Sequence, residues 1–313
     1  MEKRGKISDS GLKDICYNSY HRYDRQIILP EIGNDGQALL AAARVLVVGA
    51  GGLGSPIALY LAAAGVGTIG IVDYDTVGWS NLNRQVLYRE SDIGLSKVSV
   101  AAQRLRELNS SINVVEHFGK LTSCDEMKLA GQTHLPETLC SREESEGEPP
   151  RNTSSLDVWR LVKGYDIVVD ACDNLATRHL VGNATAKFGI PYIYGAIDGF
   201  CGQLSVFNYG EGAQRKKFSD LWPEDSISQE EVLPPEQQAS SASGLPVIEL
   251  SASESSVLES PALVMPSVGV TAGVVGTLQA GEAIKIISGY GDVLAGQLLT
   301  IDLRTLEIHK LNL

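Results

Sequence analysis

Three groups of residues in this 313-residue chain have types and spacing suited to chemistry on a nucleotide. The first is Gly49-Ala50-Gly51-Gly52-Leu53-Gly54, a G-x-G-x-x-G run between an apolar strand and a helix. With no Cβ at Gly49, Gly51, Gly52 or Gly54, the chain turns tightly and its N–H groups come close to a phosphate. The helix that starts there adds partial positive charge. Asp73, about 20 residues further on, is placed to hydrogen-bond a ribose hydroxyl. To this point NAD and ATP fit equally well.

The second group separates them. SNLNRQ supplies Ser80, Asn81, Arg84 and Gln85 just past the ribose strand, and Lys97 follows at a helix start. A dehydrogenase has no need of them, whereas two cations beside a triphosphate neutralise the charge that develops when an α-phosphorus is attacked. Singly, Arg84 and Lys97 also read as solvated surface charges. The third group is Asp173 and Asn174 in VVDACDN, past the end of a strand where open parallel sheets bind ligands. Asp173 there can hold Mg²⁺ against phosphates, or cap the following helix, and the roles are compatible.

The elements that must position these groups follow from periodicity. Strands are expected at 44–49, 68–73, 112–117, 166–170 and 190–194, being β-branched runs bounded by turn residues. Helices are expected at 54–64, 96–108 (capped by Ser96), 174–187 and 268–288, and a terminal hairpin at 297–302 and 305–311. Alternating strands and helices predict an α/β fold, a Rossmann-like doubly wound, mostly parallel sheet extended by C-terminal antiparallel strands. The expected organisation is one domain over 1–313 with an N-terminal helical extension, 1–43. Two segments rich in Glu, Pro and Ser, about 124–155 and 211–262, are expected to be mobile surface insertions.

Composition narrows the function classes. A net charge of −12 argues against a binder of nucleic-acid backbone. The apolar stretches 44–49 and 57–72 are too short and glycine-broken to span a bilayer, and no leader is evident, so a cytoplasmic location without membrane attachment is expected. Cys16, Cys124, Cys140, Cys172 and Cys201 form no C-x-x-C pair. All five histidines read as structural or exposed.

RYDRQIILPEIGNDGQ (22–37), RVLVVGAGGLGS, VDYDTVGWSNLNRQ, VVDACDN and GVVGTLQAGEAIK together resemble the MoeB/ThiF/HesA family, relatives of the ubiquitin-activating enzymes. The resemblance covers about 20–123, 156–210 and 263–311. It implies an adenylyltransferase that uses Mg-ATP to activate the C-terminal glycine of a small ubiquitin-like sulfur-carrier protein ending in Gly-Gly, of thiamin or molybdopterin type. It implies that Gly52 and Asp73 contact the nucleotide, that Ser80, Asn81 and Arg84 contact phosphate and ribose, that Lys97 contacts phosphate, and that Asp173 binds the metal. It further implies a homodimer in which Arg25 reaches the neighbour's triphosphate; from its own surroundings Arg25 reads as a surface charge beside a buried Ile27–Leu29 strand. The chain lacks the family's two C-x-x-C pairs, so no zinc is expected. Ala262 falls near the position of the crossover-loop cysteine, which argues against a thioester step there. The alternatives are a non-catalytic carrier-binding subunit and an NAD- or FAD-dependent oxidoreductase.

Overall fold

Parallel strands rich in Val and Ile are apolar on both sides and need cover on both faces. In the computed structural model, which describes residues 22–123, 155–223 and 266–313, helices supply that cover. Cys16, Cys124, Cys140, Ala262 and most of the two polar segments lie outside the described residues.

The strands are β1 (Arg44–Val48), β2 (Thr68–Asp73), β3 (Asn113–Phe118), β4 (Lys120–Thr122), β5 (Ser155–Asp157), β6 (Ile167–Asp170), β7 (Tyr192–Asp198), β8 (Cys201–Phe207), β9 (Gln297–Asp302) and β10 (Glu307–Asn312). The α-helices are α1 (Asp24–Ile27), α2 (Gly33–Ala42), α3 (Gly54–Ala64), α4 (Lys97–Leu108), α5 (Val158–Val162), α6 (Leu175–Phe188), α7 (Phe218–Leu221) and α8 (Gly269–Ser288). An eight-stranded sheet runs β10-β9-β8-β7-β6-β1-β2-β3, and β4 pairs with β5 apart from it. Strands β3, β2, β1, β6 and β7 are parallel; β7 to β10 pair antiparallel.

One face carries a core in which Leu40 of α2, Ile57 and Leu61 of α3, Leu105 of α4 and Val275 of α8 pack on Val45, Val47, Ile69 and Ile193. The other face buries Leu46, Val168, Tyr192, Tyr194 and Phe207 under Val158 and Val162 of α5, Val181 of α6 and Phe218 of α7. The expected fold class is the one observed. Its antiparallel part begins earlier than expected, because β8, a strand that periodicity did not single out, turns back on β7. Residues 211–223, expected in the polar insertion, instead include α7, whose Phe218 seals the second core.

Two local expectations need correction. Ser96 precedes α4, but its side chain makes no capping bond; its backbone instead bridges to Thr76. Asp173 does not cap α6: Asn174 does, its Oδ1 accepting from Thr177 N–H at 2.9 Å, which leaves Asp173 outside the helix.

Helix α8 is 20 residues long and apolar enough to cross a bilayer by composition alone. Its contacts place it in the core instead, against α3, β6, β7 and β8. Within it, buried Glu282 accepts from Leu294 N–H at 3.0 Å and pairs with Lys285, whose Nζ also donates to the Asp292 carbonyl at 2.8 Å. Glu282→Ala strands the buried Leu294 N–H, so a loss of about 1–3 kcal/mol is expected. A urea midpoint equal to wild type would show that the loop 289–294 does not need this anchor.

Candidate nucleotide site

The sheet reverses its strand order between β1 and β6, so their C-terminal ends open a crevice. A cavity of about 390 Å³ lies there. Gly49, Gly51, Gly52 and Leu53 form one wall, Asp73 and Asp75 follow β2, Arg84 and Lys97 face in from the loop and α4, and Asp173 and Asn174 come from the loop after β6.

Glycine is required at two points of the loop. Gly49 has φ +103°, and an added Cβ there would overlap the Ala171 carbonyl. Gly54 packs its Cα against the Gly49 carbonyl, which an added Cβ would strike. Gly54 therefore closes α3 onto β1, next to the glycines that line the cavity. Tyr88 braces the loop from behind, its hydroxyl donating to the Ala50 carbonyl at 2.8 Å.

Asp73 accepts at both carboxylate oxygens, from Ala50 N–H and from Asp75 N–H, each at 2.8 Å. Burial raises its pKa, with Lys97 and those backbone N–H groups opposing the shift. Asp73 thus ties the glycine loop to the end of β2, and the same residue borders the cavity. Lys97, which is only 5% exposed, donates to Asp75 Oδ2 at 2.8 Å. It is no solvated surface charge. Its buried stem aims a cation into the crevice, with half-exposed Asp75 as counter-ion.

Arg84 lays its Cγ and Cδ on Gly52 and donates from Nη1 to the Ser80 carbonyl at 2.7 Å and to Asn83 Oδ1 at 3.2 Å. Ser80 and Asn81 lie in the loop beside the cavity and are not among the residues that line it. Asn81 Oδ1 accepts from Gly78 N–H at 3.0 Å and closes the turn, while Ser80 offers its carbonyl to Arg84. Both shape the loop that aims the arginine. Gln85 is buried and lines the cavity.

Arg25 is exposed on α1 and is also absent from the lining of this chain's cavity. The Ile27–Leu29 stretch beside it is a helical turn, not a buried strand: Ile28 is 70% exposed and Leu29 47%. Its neighbours are well anchored. Asn109 Nδ2 donates to the Tyr23 hydroxyl at 2.8 Å, and Gln26 donates to Gln37 at 2.7 Å.

On the far wall Asp173 keeps one hydrogen bond, from Asn174 Nδ2 to its Oδ1 at 3.1 Å. Cys172 also borders the cavity, but burial, with Asp170 beside it, pushes its thiol well above the ordinary range, so it is protonated at neutral pH. Residues that sequence reasoning missed include Asp75, Tyr88, Lys120, Thr177 and Arg178. Asp75 and Arg178 carried a sequence signal, each lying within a few residues of a selected acid.

A glycine loop, a β2 carboxylate and convergent cations at the switch point of a doubly wound sheet define a nucleotide-binding α/β protein. The ThiF family model matches residues 23–313, and the chain belongs to the ThiF family. It is 37% identical over 294 residues to the maize (Zea mays) protein named Adenylyltransferase and sulfurtransferase MOCS3-2, covering 94% of this chain and 48% of the relative. It is 38% identical over 295 residues to the Probable adenylyltransferase/sulfurtransferase MoeZ of Mycobacterium tuberculosis, covering 92% and 60%. It is 34% identical over 296 residues to the Probable molybdopterin-synthase adenylyltransferase of Porphyra purpurea, covering 93% and 60%. The chain therefore spans about half to three-fifths of the length of these relatives. Among solved structures, E. coli MccB with ATP matches with a TM-score of 0.63 and 21% identity, over 98% of this chain and 74% of that one. PaaA matches with a TM-score of 0.66 and 20% identity, over 100% and 77%. These two likenesses establish the fold.

Proposed function

We propose that the chain is an ATP-dependent adenylyltransferase that activates the C-terminal glycine of a ubiquitin-like sulfur-carrier protein. The observation that carries this reading is that Arg84 and Lys97 converge with Asp173 on one cavity around the glycine loop. A C-terminal carboxylate is ionised at neutral pH and needs no general base. One of its oxygens attacks the α-phosphorus, the bond to the bridging oxygen breaks, and pyrophosphate leaves. The protein's task is to hold both reactants in line and to stabilise the developing charge. Arg84 and Lys97 do the second. The glycine loop and Asp73 hold the nucleotide.

The donor set suits Mg²⁺: Asp173 offers a hard carboxylate oxygen on the cavity wall, and magnesium favours one or two carboxylates with phosphate oxygens and water. Bound there, the ion would neutralise charge on the phosphates. Among the described residues no group of three His, Cys, Asp or Glu side chains is placed to hold a metal without such a partner.

The names of the relatives favour a molybdopterin-type carrier over a thiamin-type one. The dimer belongs to the same proposal. Arg25 is exposed away from its own cavity, so its triphosphate contact requires a second subunit. A groove between α3 and α8, lined by Tyr60, Val86, Val270 and Leu278, leaves apolar surface for a subunit to cover. A cytoplasmic location is consistent with the free thiols of Cys172 and Cys201.

ATP–pyrophosphate exchange tests the reading, run with and without small proteins ending in Gly-Gly. Exchange that depends on one carrier is the expected result and names the pathway. ATP binding without exchange for any carrier would leave a carrier-binding subunit instead.

A further inference from the structure

Arg178 is the one guanidinium on the far wall of the cavity, and the chemistry above makes no use of it. It sits one helical turn into α6, with its side chain 15% exposed. Its Nε donates to Asp170 Oδ2 at 3.1 Å, and Asp170 is completely buried at the end of β6. Its Nη2 donates to the Cys172 carbonyl at 2.7 Å and to the Gly195 carbonyl at 3.2 Å. Asp170 Oδ1 meanwhile accepts from Cys172 N–H at 2.9 Å.

The acid and the arginine thus hold residue 172 by both its N–H and its C=O, one residue before Asp173. Arg178 lies over the Tyr194 ring at 5.3 Å, and Gln279 of α8 donates to the Asp170 carbonyl at 2.6 Å. Burial alone would lower the arginine's pKa, but the Asp170 carboxylate beside it raises it, so the guanidinium stays charged. A buried ion pair is a weak source of net stability, since apolar residues of the same volume often serve as well. Here two of the pair's hydrogen bonds go to Cys172 and a third to Gly195 of β7, and the loop they tie to the sheet carries Asp173 on the cavity wall.

We propose that Arg178, clamped by Asp170, is a positioning residue that fixes the loop 171–174 and so aims Asp173 at the metal–phosphate position. The proposal rests on the adenylyltransferase reading and adds to it a residue that acts through another. It differs from a direct phosphate contact by Arg178, which its place on the cavity wall would also allow.

The test uses the intact protein with α,β-methylene ATP and Mn²⁺ as the probe ion. Nucleotide affinity is measured calorimetrically without metal, and Mn²⁺ binding to the nucleotide complex by electron paramagnetic resonance. Arg178→Lys keeps a cation opposite Asp170 but cannot hold both carbonyls, while Asp170→Asn keeps the acceptor for Cys172 N–H and removes the charge. The expected result in either variant is Mn²⁺ binding weaker by roughly 10- to 100-fold, the range for outer partners of metal ligands, with metal-free nucleotide affinity unchanged. Asp173→Asn should weaken Mn²⁺ binding too, and adding Arg178→Lys to it should cost nothing more, because the two residues act as one unit.

Wild-type Mn²⁺ binding in both clamp variants overturns the proposal. An equal fall in metal-free affinity does so as well, and assigns Arg178 to the phosphates. Full additivity with Asp173→Asn also overturns it. If wild type itself binds neither nucleotide nor Mn²⁺, the adenylyltransferase reading fails, and the clamp with it.

Discussion

Arg84→Ala should abolish acyl-adenylate formation while leaving the fold almost untouched. The arginine is tethered to the Ser80 carbonyl and to Asn83 Oδ1, and its stem rests on Gly52, so the folded state loses two exposed hydrogen bonds and some apolar cover. The transition state loses much more. Removing one pre-aimed donor from developing charge typically costs 10²–10³-fold in rate, or about 2.7–4 kcal/mol. The tether matters to this expectation: a side chain already held over the loop needs no reorganisation when charge appears. Pyrophosphate exchange would read the loss, and a melting curve would read the fold. Turnover at the wild-type rate would remove Arg84 from the mechanism, and with it most of the case for nucleotidyl transfer.

The largest effect on the fold is expected from Gly54→Ala. The added methyl would overlap the Gly49 carbonyl, so α3 must part from the end of β1. Overpacking of this kind costs about 1–3 kcal/mol and occasionally more, because both contact atoms are backbone and neither can swing aside. For a large domain this corresponds to a fall in melting temperature of about 2–4 °C per kcal/mol. Nucleotide affinity should fall with it, since the displaced atoms belong to the glycine loop that borders the cavity. Gly52→Ala is the contrast. There the new Cβ meets the Ala272 methyl at 3.2 Å and the Arg84 stem at 3.4 Å, so it should disturb the arginine more than the melting temperature. Equal melting of Gly54→Ala and wild type would show that the helix–strand contact is looser than its geometry implies.

Much of the candidate site could be read from the chain because its parts are local. G-x-G-x-x-G needs only a strand before it and a helix after it, and both announce themselves, one by β-branched residues and the other by Ala and Leu. Strands β1, β2 and β6 and helices α3, α4, α6 and α8 fall within a residue or so of their expected limits. Strand β8 was not legible because its pattern, CGQLSVF, mixes glycine and glutamine with apolar residues. It becomes a strand by pairing between β7 and β9, and its neighbours supply the order that its own residues do not.

Ser80 and Asn81 show a role that residue type alone does not disclose. Their types suit phosphate and ribose equally well, but Asn81 spends its side chain on the Gly78 N–H and Ser80 its carbonyl on Arg84. Which of two compatible uses a polar side chain adopts depends on where the loop turns. Lys97 resolves in the opposite direction, since only the packed structure reveals that its stem is buried and its charge aimed.

The sequence by itself therefore determined the fold class, the glycine loop, the carboxylate after β2 and the presence of Arg84, Lys97 and Asp173, because period, spacing and residue type are properties of short stretches. Tertiary structure alone decided that Arg84, Lys97 and Asp173 share one cavity, that Arg25 does not, and that Arg178 and Asp170 hold the loop between them. Arg84 and Asp173 are about ninety positions apart, and only the packing of the whole sheet and its helices brings such residues to one crevice.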